Sequence, residues 1–190
     1  MRQNTPDHGG RKMPGMLVHT PFDRRSAIAQ WLLTALPASS RDHARLDWEQ
    51  HGVALLPLGT LFSAVRIPGR LLTTLTGSNE SSVLDDLLSH ALGGGPVICD
   101  PRFFRHYALV PPSMPRTWRE AVDDWRVLDV DCLGLGSHLG VPRVDTEERT
   151  RAPTPYWAVP MDSAAALCRP LAVARLIAAG RHCMAAEPTE

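Results

Sequence analysis

The chain has 190 residues, of which 44% are hydrophobic, and its 20 basic and 20 acidic residues give a formal net charge of zero. This length predicts one domain with a full hydrophobic core. The balanced charge argues against indiscriminate binding to nucleic acid, although it leaves room for a local basic patch. No apolar run approaches the roughly 20 residues of a membrane helix, so no membrane partner is expected.

The N-terminal segment and the cysteines both favour a cytoplasmic protein. Residues 1–19 carry charges without an apolar stretch after them, so a flexible leader is predicted there rather than a secretory signal. The four cysteines are widely spaced and form no C-x-x-C motif: Cys99, Cys132, Cys168 and Cys183. This spacing excludes the usual zinc-knuckle and redox motifs, and it predicts free thiols in a reducing compartment.

Two helices are predicted at the start of the ordered chain. Residues 20–23 combine an N-cap threonine, an N1 proline and an acidic side chain, and apolar residues follow at helical spacing until Pro37. A second helix begins after Ser39 and ends at Gly52, because glycine readily adopts the left-handed backbone that terminates helices.

A hairpin and two more helices follow. Residues 53–58 and 61–67 are apolar runs on either side of a glycine turn, which predicts a pair of antiparallel strands. A short helix is expected from Pro68 to Leu75, and apolar residues at helical spacing predict an amphipathic helix over 79–92.

The central segment, residues 93–112, is predicted to be a second β-hairpin. Three glycines open it, Val97–Cys99 forms its first strand, and an Asp-Pro turn follows. Arg105–Val110 is the return strand, so the basic and imidazole side chains of Arg105 and His106 lie where that strand begins.

Shorter elements make up the rest of the chain. They are a short helix within 111–125, strands at 126–131, 132–142 and 155–160, a charged loop at 143–153, and helices at 163–168 and 170–179. Gly180 is the predicted cap of the last helix, and residues 181–190 are a predicted flexible tail. This order predicts one α+β domain over residues 20–180, with a mainly antiparallel sheet of hairpins and helices packed on one face.

Asp129 and Asp131 form the most suggestive pair of acidic residues. Residues i and i+2 of a strand point to the same face, so both carboxylates are placed to bind one divalent cation. The alternative is a solvated strand end with no ligand.

Three motifs, taken in order, resemble the N-terminal domain of bifunctional DNA primase/polymerases, of the archaeo-eukaryotic primase type. They are GGGPVICDPRFFRHYALVPP, RVLDVD followed by GLGSHLGVP, and PYWAVP. His106 matches the family's histidine, and the likeness spans about Trp48 to Pro160. The resemblance implies a primase-polymerase fold, a role in DNA replication, nucleotide binding and, in active members, two divalent metals.

The chain departs from this family at the first motif. Where the family has its paired acidic ligands, this sequence reads Ala64-Val65-Arg66-Ile67. A guanidinium and a divalent cation about 4 Å apart repel by roughly 8 kcal/mol at an effective dielectric constant of about 20. The resemblance therefore implies the fold, whereas the residues argue against metal-dependent phosphoryl transfer.

The favoured interpretation is a catalytically degenerate domain that acts as an accessory binding module for a nucleotide, single-stranded nucleic acid or a protein. Arg66, Arg105 and His106 are its expected anion site, because arginine forks and an imidazole bind phosphate without a metal. No cofactor is expected. The alternatives are solvated arginines, and a His106 whose ring bonds a backbone carbonyl.

Two other functions stay open. An active primase or polymerase would use His106, Asp129 and Asp131 with Mg²⁺ or Mn²⁺, and a further carboxylate, such as Asp100 or Asp85, would have to complete its site. The second open function is that of a protein-interaction domain without any nucleotide role.

Overall fold

The structure is a computed structural model that describes residues 21–144 and 154–186. Its helices are α1 (Pro21–Leu33), α2 (Arg41–His51), α3 (Gly69–Thr76), α4 (Ser81–Ala91), α5 (Met114–Thr117), α6 (Arg119–Trp125) and α7 (Pro170–Ala186). Its strands are β1 (Val53–Pro57), β2 (Ser63–Pro68), β3 (Val97–Asp100), β4 (Arg105–Val110), β5 (Asp131–Leu133), β6 (His138–Pro142) and β7 (Tyr156–Val159). The predicted leader, residues 1–19, and most of the predicted loop at 143–153 lie outside the described residues.

The strands form two antiparallel sheets. The larger has the order β5-β2-β4-β3-β7, and the smaller pairs β1 with β6. The central hairpin is confirmed, because β3 and β4 are antiparallel neighbours with Cys99 opposite His106. The predicted α+β class, with helices packed on an antiparallel sheet, is also confirmed.

The predicted hairpin between β1 and β2 is wrong. β1 pairs with β6, where Leu56 lies opposite Leu139, whereas β2 pairs with β4 and β5 in the larger sheet. The backbone N–H of Leu58 donates to the carbonyl of Ser137, 2.9 Å away, so the chain leaves β1 still bound to the smaller sheet. Apolar runs identify both strands, but they do not specify which strand is the neighbour.

Apolar side chains cover both faces of the larger sheet, so the prediction of helices on one face is wrong. On the first face, Val65 and Ile67 belong to a core that also contains residues of α3, α4, α6 and α7. On the second face, Ala64, Ile98 and Leu109 pack with residues of α1, α2 and the smaller sheet. The strands of the larger sheet thus lie between two hydrophobic layers, and their polar positions lie where these layers end.

The C-terminal predictions need two corrections. Residues 163–168 form no helix, and Ala165 in that stretch has a left-handed backbone with φ of 65°. α7 continues through Gly180 to Ala186, so Gly180 is not a cap, and residues 181–186 are helical rather than tail. A Cβ at Gly180 would overlap the side chain of Leu71, which indicates that the glycine lets α7 approach α3 closely. Among the described residues, no helix has the length and apolar character needed to cross a bilayer.

Candidate functional site

Arg66 lies on β2, the second strand from one edge of the larger sheet, on the second face. It is directly opposite Asp131 of β5 on one side and Tyr107 of β4 on the other. Directly opposed residues of an antiparallel pair point to the same face, so these three side chains form a polar row across the sheet. This row lies beyond the apolar residues Ala64 and Leu109 that fill the core on that face.

Two arginines and two aspartates form a connected network at this row. Arg66 Nη2 lies 3.3 Å from Asp131 Oδ2 and 3.6 Å from Asp129 Oδ1. Arg105 Nη1 lies 2.5 Å from Asp129 Oδ2. Asp129 therefore bridges both guanidinium groups, and two positive charges balance two negative ones.

The prediction that Asp129 and Asp131 share a strand face is wrong in its geometry. Residues 126–128 form a turn of 3₁₀ helix, Asp129 has a left-handed backbone with φ of 61°, and only Asp131 belongs to β5. Aspartate tolerates this backbone conformation better than most residues. The two carboxylates still converge, but the group between them is the Arg66 guanidinium.

The network does not fit the metals that the family resemblance implies. The hydrogen bond from Arg105 holds the pKa of Asp129 below its ordinary value, so this carboxylate is ionised and already paired at neutral pH. A metal ion between Asp129 and Asp131 would have to displace Arg66 against charge repulsion. Across residues 21–144 and 154–186, no three His, Cys, Asp or Glu side chains are grouped to hold a metal ion.

Neither proposed third carboxylate completes a metal site. Asp85 accepts a hydrogen bond from the Tyr156 hydroxyl at 3.3 Å, and Tyr156 shares the first sheet face with Cys99. Asp100 is on the second face, but its Oδ1 accepts the backbone N–H of Arg102 at 3.1 Å. Neither carboxylate is therefore placed to bind a metal ion together with Asp129 and Asp131.

A pocket of about 150 Å³ lies beside the network, between the two sheets. Its polar lining consists of Arg66, Asp100, Tyr107 and His138. Arg66 Nε is buried and has no hydrogen-bond partner, although Nη2 of the same guanidinium is in the network. Burial, followed by the charge of Asp100, raises the pKa of Tyr107, so its hydroxyl remains a hydrogen-bond donor. The pocket lining thus combines N–H and O–H donors of Arg66, Tyr107 and His138 with one carboxylate, that of Asp100.

His106 does not join Arg66 and Arg105. Consecutive strand residues point to opposite faces, so Arg105 is on the second face and His106 is on the first. The His106 side chain is buried, and its Nδ1 has no hydrogen-bond partner. Burial lowers the pKa of His106 to about 4, so the ring is neutral at physiological pH. Of the three predicted anion-binding residues, the structure brings two together.

Sequence reasoning missed two residues of the pocket, Tyr107 and His138. Tyr107 is two positions after Arg105 on the same strand, so the two-residue strand period was sufficient to place it on the Arg105 face. His138 belongs to the smaller sheet, and no local sequence pattern predicts that this sheet lies over Arg66.

Comparison of the chain with protein-family models, with curated proteins and with solved structures gives no match.

Proposed function

We propose that the chain is a primase-polymerase-like domain without metal-dependent chemistry, and that it binds the phosphate of a nucleotide or of single-stranded nucleic acid. The observation that carries this proposal is the position of the Arg66 guanidinium between Asp129 and Asp131. It pairs with both carboxylates, and the same side chain lines the neighbouring pocket.

The donor groups around the pocket support phosphate as the ligand. The side chains of Arg66, Tyr107 and His138 all line it. Charge-assisted hydrogen bonds from a guanidinium to a phosphate are among the stronger polar contacts in proteins. Two such contacts would fix a phosphate without any metal.

The existing ion pairs do not prevent this binding. The side chains of Arg66, Asp129 and Asp131 are 30%, 41% and 38% exposed. Ion pairs with this much solvent contact contribute about 0–1 kcal/mol each, since water screens them. A phosphate group can therefore compete with the aspartates for the guanidinium at low ionic strength.

The test is a fluorescence-anisotropy titration of a labelled oligothymidylate and of a labelled nucleoside triphosphate over a range of salt concentrations. We expect the logarithm of the binding constant to fall linearly with the logarithm of salt concentration. Arg66→Ala should weaken binding by about tenfold or more, the size expected for a lost charge-assisted contact. Arg45→Ala is the matched control, because it also removes an arginine paired with an aspartate, Asp42, but on α2.

Two results would contradict the proposal. If neither probe shows salt-dependent binding, phosphate ligands are excluded and the protein-interaction alternative is left. Template-dependent primer extension with Mn²⁺ that Asp129→Ala abolishes would instead establish the active primase or polymerase, because it would require that carboxylate at a metal.

A further inference from the structure

β1 (Val53–Pro57) forms the outer edge of the smaller sheet. It pairs with β6 on one side, and among residues 21–144 and 154–186 no strand pairs with its other side. Besides β6, its main neighbour is α2. An inference about this edge does not rest on the function proposed above, because no residue of β1 lines the pocket beside Arg66.

The hydrogen bonds at the two ends of β1 show which backbone groups point away from β6. The N–H of Arg143 donates to the carbonyl of Gly52, and the N–H of Leu58 donates to the carbonyl of Ser137, each at 2.9 Å. Backbone groups of an antiparallel strand alternate between its two sides, so residues 53, 55 and 57 direct theirs outward. In the described part of the chain, neither N–H of residues 53 and 55 has a backbone acceptor, and residue 57 is a proline without an N–H group.

This edge lacks the usual protection against strand addition. Natural proteins often place charged side chains on an open strand edge, whereas β1 has the sequence VALLP and carries no charge. Leu55 is 61% exposed, and the residue opposite it on β6 is Gly140, which has no side chain to cover it. An outward backbone donor and a large exposed apolar side chain thus occur together at Leu55.

The donors and acceptors of this edge are complementary to a second copy of the same strand. In an antiparallel pair centred on Leu55, the two Leu55 residues exchange both of their backbone hydrogen bonds. The N–H of Val53 then faces the carbonyl of Pro57 in the second copy. Pro57 lacks an N–H group and only has to accept, so every outward donor of both strands is satisfied while the two strands overlap over their whole length.

We propose that β1 pairs with β1 of a second copy of this chain, so that the two smaller sheets join across a twofold axis into one antiparallel sheet. The exposed Leu55 side chains of the two copies then lie side by side on one face of that sheet and cover each other. One pair of short strands buries less surface than the roughly 1,200–2,000 Å² of stable interfaces, so the dimer forms at high protein concentration.

The test is analytical ultracentrifugation of the full chain from about 10 μM to about 1 mM, the range of weak association. We expect the wild-type protein to shift from monomer to dimer over this range. Leu55→Lys should raise the dissociation constant at least about tenfold, because like charges would face each other across the new strand pair. Leu171→Lys is the matched control, because it adds the same charge at a leucine of α7 that is 53% exposed, and it should leave the dimer unchanged.

Two outcomes of this measurement overturn the proposal. One is a wild-type protein that stays monomeric up to about 1 mM. The other is a dimer that Leu55→Lys weakens no more than Leu171→Lys does, because that dimer would use another surface.

Cysteine substitutions test the register of the strand pair. Leu55→Cys places two thiols at directly opposed positions with Cα atoms about 5.5 Å apart, a distance that a disulfide can span. Val53→Cys is the control, because the two copies of residue 53 are separated by roughly 13 Å along the paired strands. Mild oxidation should therefore give a covalent dimer of Leu55→Cys, but not of Val53→Cys or of the wild-type protein. No cross-link in Leu55→Cys, or equal cross-linking of both variants, would contradict the proposed pairing.

Discussion

Two neighbouring residues of β4 lie in opposite environments on the two faces of the larger sheet. Arg105 points to the second face, where it meets the carboxylate of Asp129 at a partly exposed position. His106, the next residue, points to the first face, where it is buried and its Nδ1 has no partner. One face neutralises its charged groups with each other, and the other keeps a polar group neutral by burial.

This difference indicates how each face responds to charge. A partly exposed network of balanced charges exchanges partners at low cost, so it suits a charged ligand that competes for the guanidinium. The buried, unpaired imidazole on the first face disfavours charge, so protonation of His106 should cost stability. The three predictions below test the contrast, from the largest expected effect to the smallest.

Acid should destabilise the protein mainly through the first face. Burial lowers the pKa of His106 from 6.5 to about 4, so the unfolded state binds a proton more readily than the folded state between these values. Stability should therefore be complete above pH 6.5 and fall as pH decreases towards 4, by about 3 kcal/mol for a shift of this size. Urea unfolding at several pH values measures this loss.

His106→Leu is the control for the acid effect. It removes the titrating group, so a folded His106→Leu protein should show a much smaller slope between pH 6.5 and 4. An equal slope in the variant would show that other groups cause the acid sensitivity and would weaken the contrast between the faces.

Removal of Asp129 should have a smaller effect on stability. Asp129→Asn breaks contacts with both Arg66 and Arg105, whereas Asp131→Asn breaks only one. Because water screens these ion pairs, we expect the free energy of unfolding to fall by about 1 kcal/mol for Asp129→Asn and by a few tenths of that for Asp131→Asn. Chemical unfolding at low and high salt provides the measurement. Equal losses, or losses that do not shrink with salt, would contradict the bridging role of Asp129.

The smallest effect is expected at Tyr107. Tyr107→Phe removes the hydroxyl from the pocket beside Arg66 and keeps the ring that packs on the core. One neutral hydrogen bond contributes about 0.5–1.5 kcal/mol, so oligothymidylate affinity should fall only about threefold, with an unchanged salt slope. A loss as large as that of Arg66→Ala would mean that the guanidinium is not the main phosphate contact.

The limits of sequence reasoning follow from sequence distance. Local patterns correctly placed α2, α4 and the β3–β4 hairpin, because helical spacing and turn residues act over a few positions. Arg66 and Asp131 are 65 residues apart in the sequence, and their contact requires β2 to pair with β5. Gly180 shows a different limit: a glycine permits both a helix end and a close helix contact, and only the position of Leu71 decides between them.

The most direct test of the account is Mn²⁺ binding, followed by electron paramagnetic resonance, to the wild-type protein and to Arg66→Ala. Because the Arg66 guanidinium lies between Asp129 and Asp131, the wild-type protein should show no Mn²⁺ binding that depends on these carboxylates. Arg66→Ala should gain weak binding, and Asp129→Asn in that background should remove it. Wild-type binding of Mn²⁺ that is lost in Asp129→Asn would contradict the account.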